Sequence, residues 1–487
     1  MKLSSVISNL EVETRSGDAD PEISGVAYDV AQVRPGSAFC TWKGLKSDGH
    51  RFVPEAVRRG ASALILEELP AETVDCPVLV VDSGRRALSQ TAANFYGNPA
   101  DRLEMIGVTG TNGKTSTAYL LHYLFEKLNI SCGLIGTVEY RAGRRKLHAS
   151  RTTPESADLQ ALLAEMRDAG CRAVVMEVSS HALELERVYG IPFRTAAFTN
   201  LTRDHLDFHI KMENYFSAKA KLFSGLAPGS RAVVNIDDAY GKRMAEFIAP
   251  GVHVATFGFD AAAMYRADRM EFRADGTTFD FESPEGTLRI QTRWVGRFNV
   301  SNMLAALAVM LPRGCDPAQM AAWMKDAPPV PGRLQPVEHE GPFSVLVDYA
   351  HTDDAVRNVL QSVRLLCRGK LHILIGCGGD RDRSKRPLMA RAACELADRV
   401  VFTSDNPRSE DPGAILSEMT AGVPEFSNYS VAPNRAEAIA AILKGAGEGD
   451  LVLLAGKGHE TTQEIAGELH HFSDAEVAAR ILKGGAA

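Results

Sequence analysis

The sequence lacks the cysteine spacing of a metal knuckle or a disulfide framework. Its eight cysteines are scattered over 487 residues, and none forms a C-x-x-C pair, which is typical of a reducing compartment. It also lacks an apolar run of 18 residues, so no membrane span is predicted. Residues 1–15 have no apolar core and are not a secretory signal. We therefore expect a cytoplasmic protein.

A basic tract is absent as well. The formal net charge is −7, with Lys and Arg interspersed among Asp and Glu, so we expect no nucleic-acid partner. Hydrophobic residues make up 45% and charged residues 24% of the chain, as in ordinary globular proteins. At roughly 100–200 residues per domain, the length predicts about three domains.

Apolar runs alternate with helical segments, which predicts an α/β fold with parallel sheets. A break at 97–99 and a proline-rich segment at 327–332 predict domains at 1–101, 102–332 and 333–487. Alternating residues within 252–295, around a turn at 274–276, predict an added antiparallel subsheet. Buried strands are expected at 63–66, 78–81, 103–108, 173–178, 196–200, 232–236, 345–347, 371–375, 400–403 and 451–454.

A glycine-rich segment between a strand and a helix is typical of a phosphate-binding loop. Glycines let backbone N–H groups curl around a phosphate, and the helix N-terminus faces the anion. Lys114 is expected to reach the β- and γ-phosphates, and the Thr115 hydroxyl to bind Mg²⁺. Val108 replaces the usual first glycine, so we expect Gly110 to make the turn. The alternative is a plain glycine turn. The loop comprises Gly110, Thr111, Asn112, Gly113, Lys114 and Thr115.

Glu177 and His205 each lie at or just past the end of a predicted strand. Ligands gather at the carboxyl ends of strands in a doubly wound sheet. Both side chains are therefore expected to face the loop and to hold a second Mg²⁺. Taken alone, His205 is more often a structural or surface histidine.

These motifs, in this order, resemble the Mur ligase family over nearly the whole chain. The matching segments are 110–117, 176–183, 199–207, 296–302, 331–333 and 347–352. The resemblance implies a small N-terminal α/β domain for a uridine nucleotide, a central P-loop domain and a Rossmann-like C-terminal domain. It also implies a monomeric ATP-dependent ligase of the bacterial cytoplasm. Such a ligase adds meso-diaminopimelate to UDP-N-acetylmuramoyl-L-alanyl-D-glutamate through an acyl phosphate, in peptidoglycan precursor synthesis.

The resemblance assigns further residues to the nucleotide and the metal. Lys219 matches a lysine that CO₂ converts to a carbamate, an anionic oxygen ligand suited to Mg²⁺. It would join Thr115, Glu177 and His205 as metal ligands. Asn299 and Asn302 would contact adenine, Asp348 the sugar and Arg333 the γ-phosphate. The alternative for these residues is a role in helix caps and surface pairs.

The resemblance also assigns residues to the two other substrates. Thr152, Thr153, Ser179 and Arg187 would hold the muramoyl-dipeptide, although such polar residues equally suit helix caps. Arg408 would pair with the carboxylate that distinguishes diaminopimelate from lysine. The full set implied for diaminopimelate is Arg381, Asp405, Asn406, Pro407, Arg408, Gly456 and Glu460.

Two alternatives stay open at this point. Folylpolyglutamate synthetase shares the loop and the lysine chemistry, but it lacks the N-terminal domain and the motif at 405–408. A nucleotide-binding regulatory protein without activity is the second. The intact set of Lys114, Glu177, His205 and Lys219 argues against it.

Overall fold

The chain contains three main β-sheets with helices packed against them. The structure is a computed structural model, and it describes residues 1–44, 47–273 and 276–485. In these ranges no helix is long and apolar enough to cross a membrane. The predicted three-part α/β organisation is confirmed. The boundaries near 101 and 332 stay a prediction.

The N-terminal sheet has the order β1-β5-β4-β3-β2, with only β1 antiparallel to its neighbour. Its inner strands are buried on both faces, as continuous apolar runs in a parallel sheet require. The strands are β1 (Thr14–Ser16), β2 (Gly25–Ala27), β3 (Ser37–Cys40), β4 (Ala63–Leu66) and β5 (Val78–Val80). The helices are α1 (Leu3–Val6), α2 (Val53–Arg58) and α3 (Gly84–Phe95).

The middle sheet is the largest, with 11 strands. Its strands are β6 (Glu104–Thr109), β7 (Cys132–Ile135), β8 (Glu139–Ala142), β9 (Arg145–His148), β10 (Ala173–Glu177), β11 (Phe193–Phe198), β12 (Arg231–Asn235), β13 (His253–Gly258), β14 (Tyr265–Arg273), β15 (Gly276–Ser283) and β16 (Gly286–Thr292). Its helices are α4 (Lys114–Lys127), α5 (Ser156–Asp168), α6 (Ser180–Glu184), α7 (Leu206–His209), α8 (Met212–Ser224), α9 (Ala239–Met244), α10 (Arg297–Met310) and α11 (Pro317–Lys325).

Alternate side chains of the middle strands contribute to two separate hydrophobic cores, one on each face of the sheet. Ile106 and Val175 pack into a cluster on one face, whereas Met105 and Val174 pack into a cluster on the other. Successive strand residues point to opposite faces, which explains why both faces are apolar and covered by helices.

The strand order of the middle sheet positions the phosphate loop. The central parallel strands run β12-β11-β6-β10-β7, so β6 lies between strands that follow it on both sides. Such a reversal of strand order opens a crevice at the carboxyl ends of the strands, where ligands bind. The loop after β6 begins at this crevice.

The predicted antiparallel subsheet is present, but it is narrower than expected. Strand β13 pairs in parallel with β12, so the described strands within 252–295 that pair antiparallel with one another are β14, β15 and β16. These strands extend the middle sheet rather than forming a separate one. The expected turn residues Ala274 and Asp275 lie outside the described residues.

The C-terminal sheet has the order β17-β18-β22-β19-β20-β21, antiparallel only at β17. Its strands are β17 (Gln335–Pro336), β18 (Ser344–Asp348), β19 (Leu371–Ile375), β20 (Arg399–Phe402), β21 (Tyr429–Val431) and β22 (Leu451–Ala455), followed by a separate hairpin of β23 (Thr462–Ile465) and β24 (Glu468–His471). Its helices are α12 (Asp353–Arg364), α13 (Lys385–Leu396), α14 (Pro412–Thr420), α15 (Arg435–Lys444) and α16 (Asp474–Leu482).

Candidate active site

The phosphate loop joins the end of β6 to the start of α4. Gly110 and Gly113 have φ values of +151° and +87°, which favour glycine. A Cβ at Gly110 would overlap the Thr199 hydroxyl, and one at Gly113 would overlap the Asn302 amide oxygen. The backbone of the loop is therefore pressed against two neighbouring elements, as the predicted loop requires.

Lys114 is folded over the loop. Its Nζ donates to the carbonyl oxygens of Gly110 and Thr111, at 3.0 and 2.9 Å. Burial lowers the pKa of Lys114, while the carboxylates of Glu177 and Asp204 oppose that shift. In the part of the chain that the structure describes, no carboxylate is bonded to the Lys114 ammonium. The ammonium can therefore turn toward an incoming phosphate.

Glu177, the last residue of β10, lies directly behind the first turn of α4. Its buried carboxylate accepts hydrogen bonds from the Thr115 hydroxyl at 3.1 Å and from the Thr137 hydroxyl at 3.0 Å. The Thr137 backbone N–H adds a third bond at 2.8 Å. The structure thus brings two of the four predicted metal ligands, Thr115 and Glu177, into contact. Thr137 was missed, although it is a polar residue that follows a strand.

Lys219 reaches the same loop from α8. It is 1% exposed, and its Nζ donates to the Gly110 carbonyl oxygen at 2.9 Å and lies 4.6 Å from the centre of the Tyr215 ring. Burial, assisted by the ammonium of Lys114, holds the pKa of Lys219 well below its usual value. The side chain is thus a poorly solvated amine without a bonded carboxylate.

His205 lies beside this cluster rather than against the loop. Its ring is 4.8 Å from that of His181 and 6.0 Å from that of Tyr215, between centres. Burial lowers the pKa of His205 to about 3, with Asp204 opposing the shift. Its Nε2 is 3.3 Å from Asp204. A neutral imidazole is the form that binds metals. His181 and Tyr215 were not singled out from the sequence.

Asn299 and Asn302 are buried on the first turns of α10. Asn302 donates to the Asn299 amide oxygen at 3.3 Å, and Asn299 donates to the Val295 carbonyl at 2.8 Å. Asn302 adjoins Gly113 of the loop, and the contact of both asparagines with adenine stays a prediction.

The C-terminal sheet contacts the loop through the segment that joins the two sheets. Arg333 donates from Nη2 to the Thr115 hydroxyl at 3.1 Å, and its guanidinium lies 4.7 Å from the centre of the Tyr349 ring. Asn112 donates to Asp354 at 3.0 Å. A residue expected at the γ-phosphate thus already touches a predicted Mg²⁺ ligand.

The carboxylate of Asp348 is hydrogen-bonded to backbone groups within the protein. It accepts from the backbone N–H groups of Leu334 and Ala350, both at 2.8 Å. Burial raises the pKa of Asp348, while Arg333 opposes the shift. In this arrangement Asp348 secures the joining segment, and its contact with the sugar stays a prediction.

The residues predicted for the muramoyl-dipeptide lie together beside Glu177. The Thr153 hydroxyl donates to the Glu177 carbonyl at 2.8 Å and to the Ser179 hydroxyl at 3.3 Å. Thr152 contacts Thr137 at 3.1 Å between hydroxyl oxygens. Ser179 also accepts from the Ala182 N–H and so caps α6. Ser179 therefore caps α6 and also belongs to this cluster.

Arg187 belongs to the same cluster but is paired within the protein. Its Nε donates to the Glu155 carboxylate at 3.1 Å, and its Nη1 donates to the Thr153 carbonyl at 3.3 Å. Burial lowers the pKa of Arg187, while Glu155 opposes the shift. Glu155 was missed by the sequence reasoning.

The residues predicted for diaminopimelate form one cluster at the carboxyl ends of β19, β20 and β22. Asn406 donates to Glu460 at 2.8 Å. Arg408, with φ +52°, donates from Nη1 to the Gly379 carbonyl at 2.7 Å. A Cβ on Gly378 would lie 3.0 Å from that Nη1 and 3.9 Å from Cγ of Arg381. The remaining members are Asp405, Pro407 and Gly456; a Cβ on Gly456 would lie 2.7 Å from Asp405 Oδ2.

A phosphate loop on one sheet that is contacted by Arg333 and Asp354 from the C-terminal part of the chain is typical of an enzyme that binds a nucleotide. Models of three Mur ligase domains match consecutive parts of the chain. They are the Mur ligase family catalytic domain over 22–96, the Mur ligase middle domain over 108–310, and the Mur ligase glutamate ligase domain over 332–458. The chain belongs to the Mur ligase family. It is an ATP-dependent amide-bond-forming ligase.

Similar proteins cover the whole chain. The UDP-N-acetylmuramoyl-L-alanyl-D-glutamate–2,6-diaminopimelate ligase of Bacillus velezensis is 44% identical, over 99% of this chain and 99% of that protein. The ligase of the same name from Streptomyces avermitilis is 46% identical, over 94% and 92%. A solved structure of a ligase of this name is 31% identical with a TM-score of 0.70, covering 99% of both chains.

Proposed function

We propose that this chain adds meso-diaminopimelate to UDP-N-acetylmuramoyl-L-alanyl-D-glutamate, using ATP, during peptidoglycan precursor synthesis. We place it in the bacterial cytoplasm as a monomer. The observation that carries the proposal is the junction at Arg333. Through it, the sheet that bears the diaminopimelate cluster reaches Thr115 at the phosphate loop. Full-length similarity to ligases named for this reaction supports it.

Mg²⁺ fits the chemistry of the donors beside the loop. This ion prefers oxygen ligands and is usually held by one or two carboxylates together with substrate phosphates. Glu177 and the Thr115 hydroxyl provide such oxygens. In the described part of the chain, no group of three or more His, Cys, Asp or Glu could hold a metal. When bound, Mg²⁺ neutralises charge on the transferring phosphate.

Lys219 is suited to become the carbamate that the family resemblance implies. Burial disfavours the charged form of Lys219 and lowers its pKa, which increases the share of neutral amine relative to an exposed lysine. The nitrogen lone pair can attack CO₂, forming a C–N bond and releasing one proton, and leaves an anionic carboxylate on the side chain. The product removes the repulsion between Lys219 and Lys114 and gives the site another oxygen ligand.

The chain's own residues then organise the transfer. Lys114 and Arg333 supply positive charge at the γ-phosphate, where it favours phosphoryl transfer to the D-glutamate carboxylate. The carboxylate oxygen bonds to the γ-phosphorus as the bond from that phosphorus to the β–γ bridging oxygen breaks, and ADP leaves. In the resulting acyl phosphate, phosphate is a better leaving group than the original carboxylate oxygen. The neutral amine of diaminopimelate attacks the carbonyl carbon, and the phosphate leaves with the C–O electron pair.

Specificity for the diamine is assigned to Arg408 and Arg381. Diaminopimelate carries one carboxylate more than lysine, and a guanidinium suits a carboxylate in bidentate geometry. With lysine, the partly buried guanidinium of Arg408 would lack this partner. A site built for such a polar contact rejects the analogue that lacks it.

The test is phosphate release by the purified enzyme with ATP and UDP-N-acetylmuramoyl-L-alanyl-D-glutamate, supplied with meso-diaminopimelate or L-lysine in separate reactions. We expect kcat/KM for diaminopimelate to exceed that for lysine by at least about a hundredfold. Arg408→Ala should remove most of this preference while the KM for ATP stays within twofold. Equal use of both amines, or no amine-dependent release, would contradict the proposal.

A further inference from the structure

Lys457 is a buried cation directly after β22, between two residues of the diaminopimelate cluster. Its side chain is 0% exposed. The Nζ donates to the Asn406 amide oxygen at 3.2 Å, to Glu460 Oε2 at 2.9 Å and to the Thr462 carbonyl at 2.7 Å. An ammonium has three N–H donors. All three are used within the protein, so Lys457 has no donor left for a substrate.

These contacts set the orientation of the Asn406 amide. Its Oδ1 accepts from Lys457 and from the Glu464 backbone N–H at 3.0 Å, while its Nδ2 donates to Glu460 at 2.8 Å. A flipped amide would place its N–H donors against the ammonium and the Glu464 N–H, where no acceptor exists. Since Nδ2 carries two hydrogens, one N–H stays available for an acceptor on a ligand.

The same contacts define which part of Glu460 is available. Oε2 accepts from both Lys457 and Asn406, which leaves Oε1 for another donor. The Glu460 side chain is 28% exposed, so this oxygen can be reached. The Lys457 ammonium offsets the charge of the carboxylate. Removal of one partner from a buried pair leaves an uncompensated charge, which is costly.

We infer that Lys457 is a positioning residue for the amine substrate. It presents one N–H of Asn406 beside one free oxygen of Glu460. An N–H donor next to a carboxylate oxygen suits an amino-acid centre, whose carboxylate accepts from Asn406 and whose ammonium donates to Glu460. The inference rests on the proposed function, because only the amine bound in this cluster would use these groups.

Lys457→Met tests the inference, since methionine keeps an unbranched apolar side chain and removes the ammonium. We expect KM for diaminopimelate to rise at least about tenfold, because Asn406 and Glu460 lose their common partner. The kcat should stay within threefold and the KM for ATP within twofold. Lys242→Met is the matched control. Lys242 pairs with Asp260 at 3.2 Å but is 59% exposed, and all its constants should stay near those of the wild type.

A second variant covers the case in which Lys457→Met does not fold. The double variant Lys457→Met with Glu460→Gln removes both charges of the pair, which restores electrical neutrality in the buried site. It should fold, and its KM for diaminopimelate should be at least about threefold above that of Glu460→Gln alone, because Asn406 still loses the ammonium that orients its amide. Equal KM values for the double variant and Glu460→Gln would overturn the role of Lys457.

The outcomes separate this inference from the proposed function. If the wild type uses diaminopimelate and Lys457→Met has the same KM for it, the role of Lys457 is overturned and the proposed function stands. An equal rise in the KM for ATP would overturn it too, since it would indicate general disruption. If the wild type shows no diaminopimelate-dependent turnover, the proposed function fails, and the inference fails with it.

Discussion

Lys219 and Lys221 lie two residues apart on α8, yet their environments are opposite. Lys219 is buried against the phosphate loop, whereas the Lys221 side chain is 48% exposed and pairs with Glu184 at 2.7 Å. We predict that Lys219→Ala lowers kcat on the order of a hundredfold, because the proposed carbamate ligand of the metal site is lost. Steady-state phosphate release with saturating substrates measures this.

Lys221→Ala is the control for Lys219→Ala. An exposed ion pair contributes only about 0–1 kcal/mol, so its kcat should stay within twofold of the wild type. If Lys219→Ala retained more than half of the activity, neither the carbamate nor the metal role could be maintained.

At the scale of the element, the start of α4 depends on close packing against α10. Gly113 has φ +87°, and a Cβ there would overlap the Asn302 amide oxygen. We predict that Gly113→Ala raises the dissociation constant of an ATP analogue at least about tenfold, because the loop must shift away from the phosphate position. Isothermal titration calorimetry measures this.

Gly170→Ala is the control that distinguishes the steric overlap at Gly113 from the backbone strain of a positive φ. Gly170 has a similar φ of +83°, but nothing lies within 4 Å of the position that a Cβ would take there. Gly170→Ala should therefore cost about 1–2 kcal/mol of stability and leave nucleotide affinity unchanged. Equal losses of affinity in the two variants would show that the contact with Asn302 is irrelevant.

At the scale of the whole molecule, side-chain hydrogen bonds connect the C-terminal part of the chain to the phosphate loop. One is the hydrogen bond from Asn112 to Asp354. A hydrogen bond to a charged group contributes about 1.5–3 kcal/mol, enough to shift an equilibrium between closed and open arrangements roughly tenfold or more. We predict that Asp354→Ala increases the radius of gyration of the nucleotide-free protein in small-angle X-ray scattering.

Asp353→Ala is the control for this contact. In the described part of the chain, Asp353 makes no hydrogen bond to the middle sheet although it is adjacent to Asp354 in the first turn of α12. Its radius of gyration should match that of the wild type. An unchanged value for Asp354→Ala as well would mean that other contacts, such as Arg333 to Thr115, hold the arrangement.

The structure agrees with the local patterns and departs from expectation where distant segments meet. Strand 371–375 was predicted with its observed bounds, because a short apolar run between polar turns has one stable environment, a buried parallel strand. The range 252–295 was assigned to an antiparallel subsheet, yet β13 continues the parallel part. Strand periodicity is the same in both pairings, so the residues could not distinguish them.

The same contrast holds for the candidate site. Some of its residues were predicted from the sequence, and others were found only in the folded structure. The residue patterns indicated the loop and Glu177 without the fold, since each stands at a recognisable position in the sequence, whereas Lys219 was implied by the family resemblance. Thr137, His181 and Tyr215 were not found, because each became part of the site only through the packing of strands and helices far apart in the chain.

By itself the sequence determined the α/β class, the phosphate loop and the identity of the residues around it, because these follow from periodicity, glycine spacing and side-chain chemistry within short segments. Only the tertiary structure decided which lysine is buried, how the Asn406 amide is oriented, and how the C-terminal sheet reaches Thr115. These depend on burial and on partners distant in sequence, and no local pattern encodes the distance between two segments that meet only after folding.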